Sequence, residues 1–243
     1  MNTHLLRSEF RLYFRDIAAI IFGLLLSPLI LIILGAIPSF REAKPELGGQ
    51  SVIALYVPTM IIMAIAMVAI STMPVQLALY RERGILRRLS TTPVRPKDLL
   101  LAQAAVQFAV LLMGSLAVLL LGWVAFGVAL PGNPAAFALI YILCVAAMFG
   151  IGLMLASVSG SKTAQGIGSA VFFPLMFFAG LWVPVKVMPE ALRTISSFTP
   201  LGAGVQALQD SAIGQWPQLL HIGVLLVWTA LAWIGAIRMF RWS

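Results

Sequence analysis

Six long apolar runs alternate with short polar islands along the chain. They are Ile17–Ile37, Ser51–Pro74, Leu99–Phe126, Ala135–Val158, Ala164–Val183 and Gln218–Ile237. A helix needs about 20 apolar residues to cross the hydrocarbon core of a bilayer, and each run is of that order. The pattern predicts an all-α polytopic membrane protein with six transmembrane helices in a single domain covering residues 1–243. The third run is long enough to tilt or to project beyond the membrane.

Three further stretches carry helical order without being spans. In residues 1–16, Leu6, Phe10, Tyr13, Phe14 and Ile17 share one face, and Arg7, Arg11 and Arg15 form a stripe on another. That arrangement suits an interfacial helix lying among lipid headgroups. In "YRERGILRRLSTTPVRPKDLL" (80–100), Ile85, Leu86 and Leu89 line one face, with Arg81, Glu82, Arg87 and Arg88 around it. The two prolines of "STTPVRP" end this short helix near Ser90, and Pro96 and Asp98 suit the first turn of the next span. An apolar stripe on a charged segment calls for a docking partner. The third stretch, 184–217, is too long for a turn and too apolar for a free loop. Pro189 opens one short helix through about Ser197. Pro200 opens a second that ends near Gly214. The pair forms a re-entrant hairpin between spans 5 and 6.

Charge sets the orientation. Lys and Arg number twelve on the side of the termini and the 80–98 segment and four on the other, while the eight carboxylates divide evenly. By the positive-inside rule both termini are cytoplasmic and the hairpin is outer. The net charge of +8 sits in these islands, which speaks against nucleic acid as a partner. The N-terminus is too charged for a signal-peptide core, so the first apolar run is expected to be retained.

The chemistry of catalysis is missing. Cys144 is the sole cysteine, and His4 and His221 lack ligand-like neighbours, so no cysteine metal site or disulfide is expected. "GSKTAQG" (160–166) lacks the Gly-Lys pair and earlier glycine of a P-loop. No acidic residue lies inside the six runs, which argues against a proton-coupled carrier. The chain is read as no enzyme, with no cofactor of its own; any energy source is a separate chain. Met60, Met63 and Met67 share a face of the second run, and Phe172, Phe173, Met176 and Phe177 cluster in the fifth. Such adaptable side chains suit a promiscuous apolar path, or ordinary helix packing. Ser157, Ser161, Ala164 and Gly168 permit close helix approach.

Two motifs together resemble the membrane subunits of ATP-binding-cassette type-2 exporters. In "YRERGILRRLSTTPVRPKDLLLAQ" the matching residues are Glu82, Gly84, Leu86, Leu89, Thr92 and Pro93. In "FFAGLWVPVKVMPEALRTISSFTPLGAGVQALQ" they are Gly180, Pro184, Pro189 and Pro200. The resemblance implies that Arg81, Glu82, Gly84, Leu86, Leu89, Thr92 and Pro93 form a cytoplasmic coupling helix that docks on an ATPase. It implies two copies of that ATPase, which carry ATP and Mg, and a second permease subunit, alike or different. Gly180, Pro184, Pro189 and Pro200 would shape an outer gate, and Met60, Met63, Met67, Phe173, Met176 and Phe177 the substrate path. The expected function is export of an amphiphile, such as a drug, antibiotic or lipid-like molecule, across a bacterial cytoplasmic membrane. The alternative is a membrane scaffold or sensor component that does not transport.

Overall fold

The computed structural model describes residues 3–82, 84, 96–157 and 160–239, and these are overwhelmingly helical. In chain order the elements are α1 (Thr3–Tyr13), α2 (Ile17–Ile20), a π-helical stretch (Ile21–Leu25), α3 (Leu26–Gly35) and α4 (Pro38–Arg41). A small antiparallel pair follows, β1 (Ala43–Lys44) and β2 (Gln50–Ser51), in register Ala43 with Ser51. Then come α5 (Val52–Ala66), a second π-helical stretch (Met67–Thr72), α6 (Met73–Glu82), α7 (Pro96–Phe126), α8 (Pro134–Ala156) and α9 (Ser161–Phe178). The last are α10 (Glu190–Phe198), α11 (Pro200–Ala212) and α12 (Leu219–Met239).

Among the described residues, four helices are long and apolar enough to cross a bilayer: Val52–Glu82, Leu101–Phe126, Pro134–Ala156 and Leu219–Met239. The two other predicted runs fall short for identifiable reasons. The first gives the apolar helix Ile21–Gly35, which includes its π-helical stretch and is too short by itself to cross. The fifth begins earlier than its apolar run, at Ser161, so the polar turn SKTAQG dilutes an 18-residue helix.

Both π-helical stretches precede a proline, Pro28 in α3 and Pro74 in α6. A proline has no N–H to bond the carbonyl four residues back, here Leu24 and Ile70, and a widened turn absorbs the break. The second apolar run therefore does not stop at Pro74 as its sequence suggests. It continues as helix to Glu82.

Val52–Glu82 is the central helix, with 89% of its membrane-length window buried, so its surroundings are protein rather than lipid. It is enclosed by α3, α7, α8, α9 and α11. Lipid tails are as apolar as leucine, so such a bundle depends on close packing at small residues. Gly152 of α8 and Gly168 of α9 supply it. A Cβ on Gly152 would run into the Ala69 carbonyl, and one on Gly168 would lie 2.7 Å from the Ile70 carbonyl. Both carbonyls belong to the second π-helical stretch.

Hydrogen bonds tie loops together at each end of the bundle. At one end Lys186 Nζ donates to Gln50 Oε1 at 2.5 Å, and Gly132 N donates to Ala212 O at 3.0 Å. At the other, Tyr80 Oη donates to Glu9 Oε2 at 2.8 Å and Ser161 Oγ donates to Glu82 Oε2 at 3.0 Å.

Candidate functional site

The charged segment after the central helix is described only at its start. Arg81 closes α6, where a cation favours the helix C-terminal dipole. Gly84 then turns with φ +64°, a conformation glycine adopts without steric cost. Its N–H donates to Arg81 O at 3.0 Å. Leu86, Leu89, Thr92 and Pro93 lie outside the described residues. Glu82 is not directed only away from the chain. Its carboxylate accepts from Ser161 N at 2.7 Å and from Ser161 Oγ at 3.0 Å. Gly160 precedes that serine with φ +87°. Glu82 thus caps the N-terminus of α9, a charge-assisted contact at the positive end of the helix dipole.

At the opposite end, Gly180 stops α9 with φ +85°, and a Cβ there would sit 3.0 Å from a Val185 methyl. Pro184 leads into a short 3-10 turn (Val185–Val187), and exposed Pro189 precedes α10 with Glu190 in its first turn. Thr199 alone separates α10 from α11. Its Oγ1 accepts from Gly202 N at 3.1 Å, and buried Pro200 takes the first helical position. The tip of the hairpin therefore satisfies its own backbone, with Thr199 N also donating to Ser196 O at 3.0 Å.

The two helices of the hairpin differ in their anchoring. Almost all of α11 is buried, and Gln209 Nε2 donates to the Leu55 carbonyl of the central helix at 3.1 Å. Gly204 lets α11 approach Cys144, to whose Sγ a Cβ would lie 2.6 Å away. By contrast, α10 is exposed along Glu190, Arg193, Ile195 and Phe198. Side chains hold it in place: Ser196 Oγ donates to Phe178 O at 2.6 Å, Trp228 Nε1 donates to Phe198 O at 3.0 Å, and Gln206 Nε2 of α11 donates to Ser197 Oγ at 3.2 Å and Ser196 Oγ at 3.3 Å. Swinging the whole hairpin aside would disrupt the core, whereas freeing α10 breaks a few hydrogen bonds at Ser196, Ser197 and Phe198.

A polar cavity of about 390 Å³ opens beside the hairpin, lined in part by Lys186, Arg193, Gln209, Asp210 and His221. Burial pushes the Asp210 carboxyl above its ordinary range, partly offset by the charges of His221 and Lys186. Burial lowers the Lys186 ammonium, and Asp210 opposes that.

The six residues read as a substrate path are not gathered on one surface. Met60, Met63 and Met176 are buried in the core. Met67 and Phe177 are half-buried, and Phe173 is exposed at 58%. Phe173 and Phe177 both lie against Trp182, with ring centroids 6.4 and 6.5 Å apart. A molecule meeting Met60 or Met63 would have to open the core, so the accessible part of the set centres on Phe173, with half-buried Phe177 and the neighbouring Trp182 beside it. Sequence reading missed Ser161 and Gln209 as partners; a polar side chain at a helix start, or inside an apolar helix, is the signal that marks them.

Comparison with known proteins bears on this arrangement. A family model described as "ABC-2 type transporter" matches residues 2–213. The chain is 23% identical over 171 residues to the "Putative transport permease YvfS" of Bacillus subtilis (strain 168), covering 69% of this chain and 70% of that one. It is 25% identical over 196 residues to the "Probable multidrug ABC transporter permease YbhR" of Escherichia coli (strain K12), covering 76% of this chain and 51% of that one. It is 24% identical over 136 residues to the "Linearmycin resistance permease protein LnrN" of Bacillus subtilis (strain 168), covering 50% of this chain and 35% of that one. The chain thus spans about half the length of the second of these relatives and about a third of the last.

Proposed function

The chain belongs to the ABC-2 type transporter family, as a multi-pass membrane subunit, and we propose that it exports an amphiphile across a bacterial cytoplasmic membrane. The family match carries this reading, because it takes in both the charged segment after the central helix and the hairpin. The names of two relatives, a multidrug permease and a linearmycin resistance permease, support a drug-like amphiphile as cargo. In this reading the chain crosses the membrane six times, with Ile17–Gly35 and α9 completing the four longer helices. The loop contacts at the two ends of the bundle support that count, since each successive helix links one end to the other. The excess of Lys and Arg places the end bearing α1 and Glu82 in the cytoplasm.

The work is done by a separate ATPase, two copies of which dock on Arg81–Pro93 and carry ATP and Mg. A second permease subunit completes the pathway, meeting this one through the first span and α9. The Glu82–Ser161 contact gives the docking segment a direct hold on α9, whose far end carries Gly180 and the hairpin. Movement of the ATPases at the cytoplasmic end would then be felt at α10.

Tagged chain, expressed in its native host and solubilised gently, should co-purify an ATPase. Replacing Leu86 and Leu89 by Asp buries charge in the docking cleft, costing several kcal/mol. That variant should insert normally and purify alone. An intact complex with both substitutions present would overturn the docking role.

A further inference from the structure

A second cavity, of about 290 Å³, lies between α1, α6 and α7 at the end of the bundle opposite the hairpin. Its walls carry two carboxylates, Glu9 and Asp16, and three amides, Gln76, Gln103 and Gln107. Leu12, Leu79 and Val106 supply apolar surface beside them, and no Lys, Arg or His lines it among the described residues.

The hydrogen bonds around it leave acceptors over. Gln103 Nε2 donates to Gln76 Oε1 at 2.5 Å, and Gln107 Nε2 donates to the same oxygen at 3.4 Å. The Gln103 and Gln107 carbonyl oxygens then stay buried without a donor among the described residues. These residues are 3% and 0% exposed, so bulk water does not satisfy them. The hydroxyl donors nearby are engaged too: Tyr80 bonds Glu9, and Tyr13 bonds the Ala19 carbonyl at 2.9 Å. Glu9 is itself only 8% exposed. Its carboxyl is raised above the ordinary range by burial, against the lowering effect of the Tyr80 bond. A buried acceptor left without a donor is costly, so two beside a desolvated carboxylate mark a place shaped for a donor.

We propose that this cavity binds the protonated amine of an amphiphile, with the ammonium among Glu9, Gln103 and Gln107 and the apolar part along Leu12, Leu79 and Val106. An ammonium brings three N–H donors and a positive charge and no acceptor, which is what the lining lacks. The inference deepens the exporter reading by naming a cationic headgroup, and rests on it only for the leaflet that the cavity faces. The amine can come from phosphatidylethanolamine in that leaflet or from a transported solute.

The test uses the full chain in phosphatidylcholine nanodiscs, titrated calorimetrically with hexylammonium, hexanol and hexanoate against empty discs. One saturable site per chain is expected for hexylammonium and none for the other two. Glu9→Gln and Gln107→Leu should each weaken it by about tenfold or more, the loss of one charge-assisted contact. Tyr80→Phe keeps the carboxylate and should keep the site. Repeating the titration with phosphatidylethanolamine in the discs distinguishes the sources: weaker apparent binding assigns the site to the lipid, and unchanged binding to a solute. Absence of saturable binding, equal binding of hexanol, preference for hexanoate, or indifference to both substitutions would overturn the proposal. No ATPase is present, so failure here leaves the exporter reading standing.

Discussion

Glu82 and Ser161 are 79 positions apart in sequence and meet through two hydrogen bonds. A carboxylate capping a helix N-terminus contributes on the order of 1 kcal/mol, which is small for stability but enough to shift a conformational balance about fivefold. Ser161→Ala removes the hydroxyl contact, and Glu82→Ala removes both. Ser161→Ala should still bind its ATPase while transport per ATP hydrolysed falls; Glu82→Ala, within the docking segment, should weaken both. Unchanged transport per ATP hydrolysed in Ser161→Ala would return Glu82 to a docking role alone. The sequence marked Glu82 through its motif, but its partner was not legible, because nothing local to residues 80–84 points to position 161. The buried amides were legible in part: Gln103 and Gln107 are four apart, hence on one helix face, yet their convergence on Gln76 depends on how α6 packs against α7.

At the scale of elements, the prolines decided what could be read. Pro200 and Pro134 stand at helix starts, each behind a capping side chain, Thr199 and Asn133. Pro74 reads as a stop yet sits in a continuing helix, because the preceding π-helical stretch absorbs the missing N–H. That stretch meets Gly152 and Gly168, so its backbone forms a crossing point of three helices. Gly152→Ala should lower stability in detergent by about 1–3 kcal/mol through overpacking. At Gly166 of α9 an added Cβ would find open space, with nothing within 4 Å, and Gly166→Ala should raise stability by about 0.5–1 kcal/mol. Thermal denaturation of the two variants checks this contrast; equal effects would deny the crossing its role. The hairpin offers a second check. Ser196 is fully buried, whereas Ile195 and Phe198 are 48% and 55% exposed. In a chain lacking Cys144, cysteines at Ile195 and Phe198 should react with impermeant thiol reagent from outside. One at Ser196 should react only when α10 lifts, as nucleotide is trapped on the ATPase. Ser196 labelling indifferent to nucleotide would remove α10 as the moving part.

For the whole molecule, the all-helical class followed from the spacing of apolar runs, since each had to close its backbone hydrogen bonds internally. What spacing cannot give is which run is enclosed by the others. Burial of Met60 and Met63 moves the accessible apolar surface to Phe173, Phe177 and Trp182, because a central helix offers its side chains to neighbours first. In the proposed function, energy enters at the end bearing Glu82 and leaves as motion at α10. The direct measurement is ATP-dependent accumulation of a fluorescent amphiphilic amine in inside-out membrane vesicles holding this chain with its ATPase. Accumulation is expected with wild-type chain, abolished by the Leu86→Asp, Leu89→Asp pair. Accumulation that persists without ATP, or that proceeds equally in vesicles lacking the chain, would contradict its role as the membrane subunit of an ATP-driven exporter.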